Sequence, residues 1–245
     1  MSEYWIFGSS KPLGLGLSQA LREDHKVTCF SRSIPTAAPN TVAMDFSDVA
    51  ATQRAIKERF AAAQPDGVVF CQRYRPADGL SDLEAVKAGL DIELAPVLAV
   101  IEAAKAPKAS KPLSLVLISS VAGVAAHVDI ALYYHLLKAL TVSATRTLAV
   151  HGALDGLRVN CVILGEFQKY PRESYSDKEK QKFGALENYA LSGRLCTIPD
   201  IADVIAFLLS DQARYVTGQV LRLDGGLSGL APESVVRTLL AKQGS

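Results

Sequence analysis

The chain has 245 residues, 49% of them hydrophobic, with a formal net charge of +1. That length holds one large domain or two small ones, and the composition supplies ample core. No clustered positive charge points to a nucleic-acid or anionic-membrane surface, and no run of about 18 uninterrupted apolar residues points to a membrane span. The amino-terminal stretch enters a strand-like run with no basic leader or cleavage site, so a cytoplasmic protein is expected. Cys29, Cys71, Cys161 and Cys196 are too widely spaced for a metal site and read as buried free thiols. His25, His127, His135 and His151 have no ligand spacing either, so no metal is expected.

In chain order, the first apolar run predicts a strand over Tyr4–Phe7. It enters Gly8-Ser9-Ser10-Lys11-Pro12-Leu13-Gly14-Leu15-Gly16, and a helix is expected over about Gly14–Glu23. Glycines there permit a tight turn, and a helix N-terminus offers unpaired N–H groups to a pyrophosphate. A second strand, Lys26–Ser31, ends at Ser31-Arg32-Ser33. An acidic residue at that point would bind an adenosine ribose, whereas Arg32 presents a guanidinium fork to a 2′-phosphate. Lys11 adds a second positive charge. The pattern favours NADP(H), with NAD(H) second. Asp45, after a third strand at Thr41–Met44, is placed either to meet the adenine or to cap a helix over Val49–Ala63. A fourth strand is expected over Gly67–Cys71, then a helix over Asp82–Ala106 that Pro96 must kink or break.

The most telling stretch follows. Leu113–Ser119 predicts a buried strand, and Ile130–His151 a helix without internal Gly or Pro. On that helix Tyr134 and Lys138 are one turn apart on one face, and Ser120 stands at the strand end. An ammonium beside a phenol favours the phenolate, which suits protonating an alkoxide or deprotonating an alcohol. Tyr133 is the alternative tyrosine, but its partner one turn on is Leu137, which has no charge. Further strands are expected at Leu157–Leu164 and Gln219–Leu223, with a helix at Pro199–Ser210 between them. The polar segment Gln168–Lys182 and a short helix over Phe183–Leu191 form a candidate substrate lid over about 166–192, or a plain solvated loop. The tail, Ala231–Ser245, reads as a short amphipathic helix. Continuous apolar strands alternating with helices predict one α/β domain over 1–245, a doubly wound Rossmann fold with a parallel seven-stranded sheet flanked by helices.

With I-S-S-V-A-G, Tyr134-x-x-x-Lys138, the Arg158–Gly165 strand and the Arg194–Gly226 stretch, the chain resembles the short-chain dehydrogenase/reductase family over about residues 4 to 228. The resemblance implies that Tyr134 is the general acid or base and that Lys138 assists its ionisation and bonds the nicotinamide ribose. Ser120 would hydrogen-bond the substrate oxygen. Implied cofactor contacts are Gly8, Ser9, Ser10, Lys11, Gly14, Leu15, Gly16, Arg32, Asp45, Cys71, Gln72, Tyr134, Lys138 and Gly165. Several positions depart from the family pattern. Counted back from Gly14, Ser9-Ser10 stand where Thr-Gly is usual, unless two residues are inserted after Gly8. Phe70-Cys71-Gln72-Arg73 replace Asn-Asn-Ala-Gly, Glu93 stands at the usual helical asparagine and Leu164 at the usual proline. Arg73 would approach the cofactor or a carboxylate, or replace a structural contact, and Glu93 would carry protons if buried. The expected function is NADP-dependent hydride transfer between nicotinamide and a carbonyl or secondary alcohol. The alternatives are a nucleotide-binding protein without turnover, and a lyase or isomerase using the same site. A homotetramer or homodimer and a small-molecule carbonyl or alcohol substrate are also implied, the apolar Val121–Ile130 stretch hinting at a hydrophobic one.

Overall fold

Neighbouring residues of one strand supply two different cores. The computed structural model describes residues 1–34, 40–105, 112–190, 192–231 and 233–237. In β1 (Glu3–Phe7), Trp5 and Phe7 pack on one side, with Phe30, Phe70, Leu115 and Leu117, while Tyr4 and Ile6 pack on the other, with Leu17, Val69, Val116 and Ile205. Such runs are apolar at every position because both faces of the sheet are covered.

The elements follow as α1 (Pro12–Arg22), β2 (Lys26–Ser31), β3 (Thr41–Ala43), α2 (Val49–Ala62), β4 (Gly67–Phe70), α3 (Asp82–Glu93), α4 (Ala95–Lys105), β5 (Leu113–Ser120) and α5 (Leu132–Gly152). Then come β6 (Leu157–Leu164), β7 (Phe167–Gln168), α6 (Asp177–Glu187), β8 (Cys196–Thr197), α7 (Ile198–Leu209) and β9 (Val220–Leu223). Seven strands form a wholly parallel sheet in the order β3-β2-β1-β4-β5-β6-β9. The chain builds outward from β1 to β3, returns to β4 and builds the other way. The strand order therefore reverses between β1 and β4, and in sheets of this kind ligands bind beyond the strands' carboxyl ends at such a point. The expected doubly wound α/β fold is the one observed.

The expected long helix after β4 is two helices. Leu94 separates α3 from α4, because Pro96 has no N–H to give the carbonyl of Ile92. Helix α1 begins two residues early, Pro12 taking a first-turn position where no N–H is needed. Helix α2 is capped by Asp48, whose carboxylate accepts the Ala51 N–H, and not by Asp45, which turns to Ser47. After β6, Phe167–Gln168 pairs with β8, and the helix expected over Phe183–Leu191 is α6, which starts earlier at Asp177 because the Ser176–Glu179 capping box fixes its N-terminus. Residues 233–237 of the tail are helical, and 238–245 lie outside the described residues. Among the described residues no helix is long and apolar enough to cross a membrane.

Two polar side chains within the Arg158–Gly165 motif are structural. Arg158 donates to the carbonyls of Leu208, Ser210 and Val216, and buried Asn160 bonds Val216 O and the Gln219 N–H. They satisfy the end of α7 and the entry to β9, where backbone groups would otherwise be orphaned.

Asp200 ties the start of α7. It accepts from the Thr197 N–H and hydroxyl and pairs with both terminal nitrogens of Arg194. These contacts, Arg194 first, hold its carboxyl well below the usual carboxylate range. A depressed carboxyl contributes stability above its unfolded value of about 3.9 and loses it as pH falls below that. Urea denaturation across pH 3 to 7 is expected to show a falling midpoint below about pH 4.5, and Asp200→Asn should flatten that slope. An unchanged acid slope in the variant would show that Asp200 does not carry it.

Candidate active site

Several residues singled out in the sequence stand at the carboxyl ends of the parallel strands. Gly8 follows β1, Arg32 follows β2, Cys71 follows β4, Ser120 ends β5 and Gly165 follows β6. Gly8 has a left-handed backbone (φ +85°), and a Cβ on it would lie 2.5 Å from the Gln72 amide nitrogen. Only glycine suits both demands. The tight turn of the glycine loop is therefore at Gly8, with Ser9, Ser10 and Lys11 bulging before α1, as an insertion after Gly8 predicts.

Residues present around that loop fit a dinucleotide. Helix α1 has no side-chain cap at Lys11, so the first N–H groups after Pro12, those of Leu13 and Gly14, are open to an anion. Ser9 is fully buried and its hydroxyl has no hydrogen-bond partner among the described residues. Leu15 and Gly16 lie in the first turns of α1, Gly16 packed against Ile198, whereas Ser10 and Lys11 stay in the loop. Arg32 is exposed and lies near Asp45, whose carboxyl is lowered chiefly by hydrogen bonds from Ser47 and further by the Arg32 charge. Cys71 is a poor nucleophile here, because burial pushes its thiol up to about 12. At the far side, a Cβ on Gly165 would lie 2.9 Å from the Asp224 side chain, which keeps the β6 and β9 ends in close contact.

The catalytic candidates sit where β5 meets α5. Ser119 is buried and donates to the Lys138 carbonyl at 2.9 Å, so it fastens strand to helix. Ser120 is half-buried, its oxygen accepts the Ala122 N–H at 3.3 Å, and its O–H takes no acceptor among the described residues. The short turn Val121–Gly123 lies on α5, held by His135 Nδ1 against the Ala122 carbonyl at 2.7 Å. Tyr133 faces away: its ring meets Tyr74 and its N–H bonds Asp82. Tyr134 lies beside Lys138, whose ammonium is 5.6 Å from the ring centroid. The two tyrosines thus have different surroundings, Tyr134 next to Lys138 and Tyr133 next to Tyr74.

The sequence left two contacts unread. Lys138 pairs with Glu93 at 2.7 Å, and the two side chains are 5% and 6% exposed. The other oxygen of Glu93 accepts the Tyr74 N–H at 2.8 Å, and Gln72 Nε2 donates to the Glu93 carbonyl. Arg73, held between these two anchored residues, stacks its guanidinium 4.3 Å from the centroid of Tyr134. The position of Glu93 at the usual asparagine was a visible signal for the first contact. Nothing local announces the second, because residues 61 apart meet only through the fold. Among the described residues no cluster of three or more metal-ligating side chains occurs.

The family model for enoyl-(acyl carrier protein) reductases matches residues 17–228 of the chain. A tropinone reductase homolog of Arabidopsis thaliana is 35% identical over 121 residues, 49% of this chain and 45% of that relative, so the match spans under half of the relative's length. A structure described as an NAD(P)-dependent gluconate 5-dehydrogenase from Beutenbergia cavernae, with NADP bound at low occupancy, superposes with a TM-score of 0.79 at 23% identity, covering 94% of this chain and 97% of the other. A 4-hydroxyisoleucine dehydrogenase complexed with NADH gives 0.76 at 22% identity, covering 94% and 100%. At these identities the two structures speak for the fold alone.

Glu93→Ala leaves the Lys138 ammonium buried without its counter-charge and is expected to lower the unfolding free energy by about 3–5 kcal/mol. The double variant Glu93→Leu/Lys138→Met removes both charges and should cost much less than the two single changes summed. Additive losses in denaturant titrations would mean that the pair is not coupled.

Proposed function

The chain belongs to the short-chain dehydrogenase/reductase family, and on that premise we propose that it is an NADP-dependent oxidoreductase working between a carbonyl and a secondary alcohol. The observation that carries this reading is the placement of Tyr134 beside Lys138 and the Ser120 turn, at the sheet edge that also holds the Gly8 turn and the uncapped start of α1. Bound at that edge, the nicotinamide would supply or accept the hydride.

The protein's own residues then divide the remaining work. Ser120 donates its O–H to the substrate oxygen and fixes the carbonyl. Tyr134 gives its phenolic proton to that oxygen in reduction and takes it back in oxidation. Glu93 receives one N–H of Lys138, and the other two take no partner among the described residues, so they serve as donors to a ribose hydroxyl. Glu93 holds Lys138 in place by a direct ion pair at 2.7 Å. Gln72, Cys71 and Gly165 line that edge with backbone that approaches closely. Arg32 and Lys11 meet the 2′-phosphate, and Asp45 stands beside Arg32 near the adenosine.

The segment 166–192 acts as the lid. It is anchored rather than loose: Lys182 reaches Glu166 at 2.7 Å, Arg172 pairs with Glu187, and the Tyr175 hydroxyl accepts the N–H groups of Lys169 and Tyr170. Leu98 on α4 and Leu136 and Leu140 on α5 present exposed apolar side chains, which supports a homodimer or homotetramer through that face.

Calorimetric titration is expected to show NADPH bound more tightly than NADH, with Arg32→Ala weakening NADPH by about 10- to 100-fold and leaving NADH nearly unchanged. Equal affinities in the wild type would remove the case for Arg32. Tyr134→Phe should retain NADPH binding and lose at least about 100-fold in carbonyl-dependent NADPH oxidation. Binding of neither nucleotide would sink the reading as a whole.

A further inference from the structure

Arg73 is unlike the other well-anchored arginines of the chain. Arg158 spends its nitrogens on three carbonyls, Arg172 on Glu187 and Arg194 on Asp200. The Arg73 guanidinium makes no hydrogen bond and no ion pair among the described residues, and it lies over the face of Tyr134 at 4.3 Å from the ring centroid. Its backbone is nevertheless tightly held. Gln72 on one side is pinned to the Glu93 carbonyl and pressed against Gly8, and Tyr74 on the other gives its N–H to the Glu93 carboxylate. The nearest buried carboxylate, Glu93, is already committed to Lys138 and Tyr74. An exposed guanidinium whose five donors take no partner among the described residues is thus held over Tyr134.

We propose that Arg73 recognises an anionic group of the substrate, and that the substrate is a keto acid or the corresponding hydroxy acid, its carboxylate a few bonds from the reacting carbonyl. The inference rests on the oxidoreductase reading for the place of that carbonyl. A guanidinium fork and a carboxylate form two parallel hydrogen bonds at about 2.7–2.9 Å. With the fork stacked on Tyr134, a carboxylate held there keeps a short ketone within reach of the tyrosine hydroxyl and of Ser120. The stacking adds direction, because the ring face limits where the fork's open edge points. A neutral analogue would leave that fork unpaired, and this penalty is the basis of selection. The other anion that could meet Arg73 is the cofactor's pyrophosphate, since Gly8 touches the residue before it.

The test uses pyruvate, acetoacetate and levulinate, each against its amide, with binding to the NADPH-loaded protein read by ligand-observed NMR and turnover by NADPH absorbance. In the wild type at least one acid should bind about 10- to 100-fold more tightly than its amide. Arg73→Ala should abolish that preference while the dissociation constant for NADPH stays within about twofold of wild type. Arg73→Lys, which keeps the charge but loses the fork, should restore only part of it. Equal binding of acids and amides, or no binding of any, overturns the proposal. So does an Arg73→Ala variant that weakens NADPH and keeps the acid preference, because the guanidinium would then belong to the cofactor. Arg73-dependent binding of an acid that never oxidises NADPH upholds the anion site and removes the oxidoreductase reading instead.

Discussion

A buried ion pair costs several kcal/mol per charge in desolvation, and it persists only when geometry and further hydrogen bonds offset that loss. The Glu93–Lys138 pair meets this condition by recruiting its neighbours. Lys138 takes one carboxylate oxygen and the Tyr74 N–H takes the other, while Gln72 bonds the Glu93 carbonyl. Three segments distant in sequence are thereby locked together: the loop after β4, the end of α3 and the middle of α5. The position of Tyr134 under Arg73 follows from that lock, since both flank residues it holds.

The pair also changes the charge balance of the site. Lys138 faces a carboxylate at 2.7 Å, so a negative charge stands beside the ammonium next to Tyr134. Arg73 and Arg32 keep uncompensated or weakly compensated charges, one beside the tyrosine and one at the end of β2. Two arginines that follow strand ends therefore stand apart, Arg73 over Tyr134 and Arg32 near Asp45. The replacement of a small-residue loop by Phe70-Cys71-Gln72-Arg73 is central to this, because Gln72 and Arg73 reach partners that smaller side chains would not.

Parallel topology explains why the relevant residues share one edge. Every strand points the same way, so each carboxyl end delivers its next residue to the same side, and the reversal between β1 and β4 leaves a gap there. The two cores, one beneath α2, α4 and α5 and the other beneath α1 and α7, hold this edge rigid from both faces. Polar groups in β6 are spent on backbone: half-buried Arg158 and buried Asn160 bond the carbonyls and N–H groups of the last crossover.

Much of this was legible from the residues alone, because it depends on local rules. Apolar runs long enough for strands, helical stretches between them, Pro96 as a break and the one-turn spacing of Tyr134 and Lys138 all follow from short-range geometry. The glycine loop was legible as a turn, but two placements of its tight point were possible, and packing against Gln72 selected Gly8. Asp45 was the cap that the sequence suggested for α2, and the fold gives that place to Asp48, whose carboxylate accepts the Ala51 N–H while Asp45 turns to Ser47. Glu93 was identifiable as unusual, yet its bond to a lysine 45 residues away was not. The sequence by itself determined the elements, their alternation and the chemistry of individual side chains. Only the tertiary structure decided which charges meet and which stay open, because ion pairing is a matter of distance through space, and that distance is set by how α3, α5 and the β4 loop pack together.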